Sequence, residues 1–396
     1  MNSEKQNVLI YYLQYAAYNI AIVLSTGAVI QTFMLECGIS NERVSLYVSA
    51  LQIIQTVMML LISKASENIK NIRKGVTMTY SAYIPFFAVL LFLCIKNDFL
   101  PDTKFIIIFA FSILLNIFLG VYNIIFYKLP YEVMDIRNYG KVSGQGGVIA
   151  GLVCMAFSAI LTYFGGRFSY FGTMAVFFAV GIVTALWMIF ANVLYKPMNN
   201  EKCEEKSEKI NIFKYKPFYQ LIIPNFARGF SLGIFNLITV IGYSCRIIDS
   251  SSAGIIATVM QIATLISCQT YAIIVRKCKN GNIIVLASVV FCIAAPMITL
   301  FAKAPLFYLF YFIAYFFINF IAYAVPVLVA THIEYSVLSQ YTAWRMALFT
   351  LGTAIGSAVV PFLLNTLGST GTLIVSGITI LPCGIGYYFF ERKCKK

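Results

Sequence analysis

The sequence predicts an all-α membrane protein with twelve transmembrane helices in two six-helix, pseudo-symmetric halves. Three observations predict it. Of 396 residues, 60% are hydrophobic and only 11% charged. The apolar residues gather into a dozen long runs. One polar stretch, 196–216, interrupts them near the middle of the chain. A soluble domain carries about 25% charged residues. Disorder needs low hydrophobicity with high net charge, the reverse of this balance. Ten cysteines spread over a chain this long do not suggest a disulfide scaffold.

A helix needs about 20 apolar residues to cross the hydrocarbon of a bilayer. Runs of that length occupy 8–34, 44–63, 76–95, 105–127, 142–164 and 170–194. Six more occupy 218–243, 253–275, 283–301, 306–329, 344–364 and 372–390. Barrel strands would show about ten residues of strict alternation, which is absent. Helices satisfy their own backbone groups, as lipid demands. The first run is too long for a cleaved signal, and no small-x-small site follows it.

The net charge of +14 suggests nucleic acid until the basic residues are placed. Of 29 Lys and Arg, 22 fall in alternate loops with both termini: Lys5, the 64–75, 128–141, 196–216 and 276–282 segments, Arg345 and the tail. Six fall in the opposite loops, and the remaining one, Arg228, lies within a run. This bias puts both termini and the linker in the cytoplasm of a cell-membrane protein. It marks topology, so no nucleic-acid partner is expected; the expected partners are the lipid bilayer and a small-molecule solute, with the chain a monomer.

The polar stretch divides the chain into an N-terminal half, 1–195, a linker, 196–217, and a C-terminal half, 218–396. Glu132 and Tyr139 match Glu334 and Tyr341 at one offset, each pair in the loop after the fourth span of its half. Parallel halves of this kind hold a substrate site between them near mid-membrane.

The loop between the second and third spans reads Ser63-x3-Glu67-Asn68-x-Lys70, followed by Arg73-Lys74. With twelve spans, cytoplasmic termini and a basic linker, this resembles the major facilitator superfamily, whose loop signature is Gly-x3-Asp-Arg-x-Gly-x-Arg-Arg. The acid and the basic cluster are in place; both glycines and the first arginine are not. The resemblance implies a cytoplasmic gate formed by Glu67, Lys70, Arg73 and Lys74, with Glu132 and Glu334 in the later loops. The fifth span has Gly147 and Gly151 without the proline that completes the antiporter signature. Glu334-Tyr335 and Arg345 are similar to the sugar–cation symporter branch, but spans two and four lack its aspartates.

Charges inside the hydrocarbon usually mark function. All fifteen acids fall in loops or at span ends, so no mid-membrane carboxylate is available for a proton or sodium ion. If span seven begins at Phe218, Arg228 lies about 15 Å deep. If it begins at Pro224-Asn225, Arg228 snorkels to the headgroups. Tyr11, Gln14, Tyr15 and Tyr18 share about 100° of helical arc. Tyr308, Tyr311, Tyr315 and Asn319 share about 80°, and Asn225, Arg228 and Asn236 do likewise. Asn116 and Asn123 add to span four. The resemblance implies that spans one, four, seven and ten line the central cavity. The candidate substrate-binding residues are therefore Tyr11, Tyr15, Tyr18, Asn116, Asn123, Arg228, Asn236, Tyr315 and Asn319. Tyrosine presents a flat face with one hydroxyl and asparagine two donors and an acceptor, which suits a small neutral polar solute such as a sugar or nucleoside. Such groups also sit at interfaces or hold helices together.

Gly229-Phe230-Ser231-Leu232-Gly233 matches the serine-hydrolase pattern but lies in an apolar helix, without its strand context. Gly229/Gly233 and Gly352/Gly356 are expected to be helix-packing faces. No catalytic residue, metal or cofactor is expected. Cys37 and Cys245 fall on the same side and leave a disulfide open. The expected function is secondary transport by alternating access; the alternative is a multidrug exporter of bulky aromatic compounds.

Overall fold

The computed structural model describes residues 3–65, 72–96, 98–125, 129, 133–134, 136–165, 167–196, 219–249, 252–301, 303–333 and 335–393. Its elements are helices: α1 Ser3–Ser25, α2 Gly27–Glu36, α3 Asn41–Ala65, α4 Ile72–Ile95, α5 Pro101–Ile125, α6 Ile136–Gly165 and α7 Tyr170–Leu194. After the linker come α8 Ile222–Phe235, α9 Ile238–Ser244, α10 Ser252–Ile274, α11 Asn280–Leu300, α12 Ala304–His332 and α13 Tyr335–Lys393.

Ten helical segments among the described residues are long and apolar enough to cross a membrane. The pair α8 and α9, bent by 42°, makes eleven if it counts as one span. The 59-residue α13 is interrupted at Gly368, whose φ of 68° leaves the helical region. Glycine tolerates that backbone because it lacks a Cβ. Thr372 Oγ1 donates to the Gly368 carbonyl at 2.7 Å and so starts the second limb.

Apolar side chains cover the outside as well as the inside. On α7, Val176, Val183, Leu186, Phe190 and Val193 are exposed, with Val193 at 73%. Their spacing of three, four and seven places them on one face. Thr173, Phe177, Gly181, Ala185, Met188 and Asn192 are buried on the other. A water-soluble protein rarely exposes a continuous apolar face of this kind. On α7 the polar Thr173 and Asn192 are inside and the aliphatic face is outside, which fits a lipid solvent.

The chain forms two compact units. The first comprises Met1–Arg43, Val57–Glu204 and Ser250–Gln261; the second comprises Val44–Thr56, Glu205–Asp249 and Ile262–Lys396. In the first, α1 packs on α6 and α7, and α4 packs on α5 and α7. Ile10, Tyr11, Val133, Met134, Val142, Ala191 and Tyr195 form one core cluster there. In the second, α8 and α11 pack on α13, and α11 on α12.

The α8–α13 contact is made by glycines. A Cβ added at Gly229 or Gly233 would strike the carbonyl oxygens of Phe349 and Thr353. One added at Gly352 or Gly356 would strike those of Phe226 and Phe230. The two Gly-x-x-x-Gly faces therefore meet each other, backbone against backbone. Ser231 and Ser376 lock the same helices from another side. Each hydroxyl donates to the other residue's carbonyl, at 2.7 and 2.9 Å. Ser231 is thus a packing residue.

The first helical pair of each unit repeats two features. Helix α1 breaks at Thr26-Gly27, where Gly27 has a φ of 62°; α8 breaks at Asn236-Leu237. Gln14 of α1 accepts from the Tyr195 hydroxyl at 2.7 Å. Asn225 of α8 accepts from the Tyr387 hydroxyl at 2.6 Å.

Candidate functional site

In the first unit the sequence-predicted tyrosines part company. Tyr11 is buried in the core cluster. Its ring stacks on Tyr15 with centroids 5.8 Å apart and planes 5° apart. Tyr15 and Tyr18 are half-buried. Tyr18 leads to a second cluster: its ring lies 4.7 Å from Tyr122, 6.2 Å from Tyr80 and 6.5 Å from Tyr83. The hydroxyls of Tyr80 and Tyr122 are hydrogen-bonded at 3.3 Å. Four aromatic faces from α1, α4 and α5 thus converge, and only Tyr18 is more than marginally exposed. Tyr80, Tyr83 and Tyr122 were not singled out from the sequence. Tyr80 and Tyr83 stand three residues apart on α4, which is the signal that could have found them.

Asn116 is half-buried and donates to the Ser112 carbonyl of its own helix at 2.9 Å. The side chain of Asn123 lies outside the described residues. Gln14, on the same arc as Tyr11 and Tyr18, is fully engaged: its amide donates to the Met188 carbonyl at 3.0 Å and accepts from Tyr195. It fastens α1 to α7.

Of the residues assigned to the gate, Glu67, Lys70, Glu132 and Glu334 lie outside the described residues. Lys74 is exposed. Arg73 opens α4 and donates to the Tyr195 carbonyl at 2.9 Å, just past the end of α7. A cation there meets the negative end of the α7 dipole. Asn192 reinforces the contact through bonds of 2.7 Å to the Arg73 carbonyl and to Thr77 Oγ1. The buried amide of Asn7 does similar work nearby. It donates to the carbonyls of Val133 and Lys196 at 2.6 and 2.8 Å and accepts from the Lys196 N–H at 3.0 Å.

In the second unit, Tyr311 and Tyr315 stack beside Phe235, with centroids 5.6 and 6.4 Å away. Tyr315 and Asn319 are half-buried. Asn319 donates to Thr264 Oγ1 and the Tyr323 hydroxyl to the Thr264 carbonyl, both at 3.3 Å. Asn236 is exposed and caps α8 at the break before α9.

Arg228 lies six residues into α8, roughly 9 Å along the axis. It is 9% exposed, so its side chain stays inside the protein. Its guanidinium sits 4.9 Å from the ring centre of Phe349. Arg345, counted with the loops in the sequence, lies inside α13 and is 8% exposed. The long helix begins at Tyr335, ten residues earlier, and carries Arg345 inward, so it is not a loop charge.

Cys37 and Cys245 are free thiols. Cys37 is buried, and burial pushes its pKa up to about 11. Among the described residues no group of His, Cys, Asp and Glu is arranged to hold a metal ion.

Long apolar helices with polar groups turned inward define a multi-pass membrane protein. The Major Facilitator Superfamily model matches residues 8–325. The chain belongs to that superfamily and is a transporter. No curated protein matches it. Its fold is similar to that of a D-xylose-proton symporter, with a TM-score of 0.75 at 11% identity over 97% of both chains. It is similar to the inward-open xylose transporter XylE from E. coli, at 0.71 and 12%, over 97% of this chain and 95% of that one. It is also similar to the nucleoside transporter NupG, at 0.63 and 16%, over the whole of both chains.

Proposed function

We propose that this chain is a secondary transporter that carries a sugar- or nucleoside-like solute across the cell membrane by alternating access. The observation that carries the reading is the gathering of half-exposed tyrosines on buried aromatic platforms: Tyr18 over Tyr80, Tyr83 and Tyr122, and Tyr315 beside Tyr311 and Phe235. Flat faces with hydroxyls at their edges bind the apolar faces and hydroxyl rims of sugars and nucleobases. The xylose and nucleoside carriers of the same fold support that solute class.

Twelve crossings result if the limbs of α13 on either side of Gly368 are separate spans and α8–α9 is one. The repeated break and repeated Tyr–amide bond support two related six-helix halves. The positive loops put both termini in the cytoplasm. Arg73, with Glu67, Lys70 and Lys74, then forms a cytoplasmic latch on the end of α7, with Glu132 and Glu334 in the later loops. Tyr11, Tyr15, Asn116, Asn123, Asn236 and Asn319 are proposed as secondary contacts to the solute. The protein works as a monomer.

The test is uptake into proteoliposomes from a panel of pentoses, hexoses and nucleosides together with their carboxylated and phosphorylated derivatives. Tyr18→Ala and Tyr315→Ala should each lower uptake of the accepted solute roughly tenfold while the protein remains monodisperse. A panel with no accepted member, or variants that transport like the parent, would overturn the proposal.

A further inference from the structure

Among the described residues, two arginines in the second unit have no counter-charge. Arg228 of α8 and Arg345 of α13 are both more than nine-tenths buried. They lie close enough to repel each other. The Nε of each is buried without a hydrogen-bond partner, and neither makes an ion pair among the described residues.

Their neighbours do not make up the deficit. Asn225 spends its amide N–H on the Leu221 carbonyl at 2.7 Å and its oxygen on the Tyr387 hydroxyl at 2.6 Å. The Phe349 ring attracts the Arg228 cation but offers no lone pair. The helices that carry the pair cannot draw apart without losing their backbone contact at Gly229, Gly233, Gly352 and Gly356.

Two like charges in an apolar interior are costly unless an anion joins them. A structural arginine would be paired with a buried acid, and this sequence places no acid in the middle of a span. A snorkelling arginine would end outside the protein, and these do not. The planar guanidinium fork matches a carboxylate or phosphate in geometry as well as in charge.

We infer that Arg228 and Arg345 together form the recognition site for an oxyanion on the transported solute, a carboxylate or phosphate carried on a sugar- or nucleoside-like body. This rests on the carrier reading above. It replaces the uncharged solute suggested by the tyrosine and asparagine stripes with an acidic relative of it. With the solute in place, the arginine pair is wholly or partly neutralised.

The experiment is uptake by the full-length protein in proteoliposomes of three matched pairs: glucose and glucuronate, glucose and glucose 6-phosphate, and uridine and uridine 5′-monophosphate. In at least one pair the acid should enter about tenfold faster or more than its neutral parent. The pair concerned tells carboxylate from phosphate. Arg228→Gln and Arg345→Gln should each reduce uptake of that acid about tenfold or more, and Arg228→Lys and Arg345→Lys should recover part of it. Only variants that elute monodisperse are compared; if the Gln variants do not fold, the wild-type preference for acid over parent decides alone. Uptake of neutral parents without preference for the acids overturns the anion site and leaves the carrier reading standing. Folded Gln variants that carry the acid as well as wild type do the same. If no member of any pair enters, the carrier reading fails and the anion site fails with it.

Discussion

The hydroxyl of Tyr195 donates to the side-chain carbonyl of Gln14 at 2.7 Å, with both groups buried. The contact joins the end of α7 to α1 and is matched in the second unit by Tyr387 and Asn225 at 2.6 Å. A buried acceptor deprived of its donor costs about 1–3 kcal/mol. Tyr195→Phe and Tyr387→Phe should each destabilise the detergent-solubilised protein by that amount, seen as a lower Tm in a thermal-unfolding series. Gln14→Leu should cost more than Tyr195→Phe, because it also frees the Met188 carbonyl.

Gly229 and Gly147 both belong to Gly-x-x-x-Gly pairs, yet only one of them is packed. A methyl group at Gly229 would collide with backbone, whereas one at Gly147 meets nothing within 4 Å. Gly229→Ala should lose at least about 2 kcal/mol through overpacking. Gly147→Ala should be neutral or gain up to about 1 kcal/mol of helix propensity. Expression level and thermal unfolding of the two variants check the contrast.

Gly27 has open space around it but a φ of 62°. Gly27→Ala should therefore cost about 1–2 kcal/mol through backbone strain alone. The hydroxyl of Thr26 donates to the Ile22 carbonyl at 2.7 Å and helps to end α1 there. Thermal unfolding reads the cost, and a Tm equal to wild type would mean that the break is not held by this residue.

The Cys37 thiol, with its pKa pushed up to about 11, is almost wholly protonated at neutral pH. A raised thiol pKa means less thiolate at every pH below it, so reactivity climbs only as pH approaches that value. A water-soluble maleimide at pH 7.5 should label exposed Cys278 and leave Cys37 unmodified until the protein is unfolded. Mass spectrometry of the labelled peptides gives the order.

Spacing and composition were enough to reveal the helices, because lipid forces apolar residues into runs of fixed length. That Gly229/Gly233 and Gly352/Gly356 are packing faces was also legible, since such faces have little use besides close approach; that they pack on each other was not. What spacing did not reveal was the partner of each polar face. Gln14 and Tyr18 lie on one arc of α1, yet Gln14 is consumed by α7 while Tyr18 opens onto a platform of three other tyrosines. Which of the two happens depends on neighbouring helices, and a helical wheel does not contain them. Arg345 was misplaced for a related reason: a helix that begins ten residues before it carries a residue read as loop into the interior.

The turn at Gly368 joins the two limbs of α13 with almost no chain to spare. That end of the molecule gives an antibody or nanobody little to grip between these helices. A reporter inserted there would have to pry the limbs apart, whereas one spliced into the polar 196–216 stretch interrupts no apolar run. Epitopes and fluorescent fusions for following this transporter belong in the central linker.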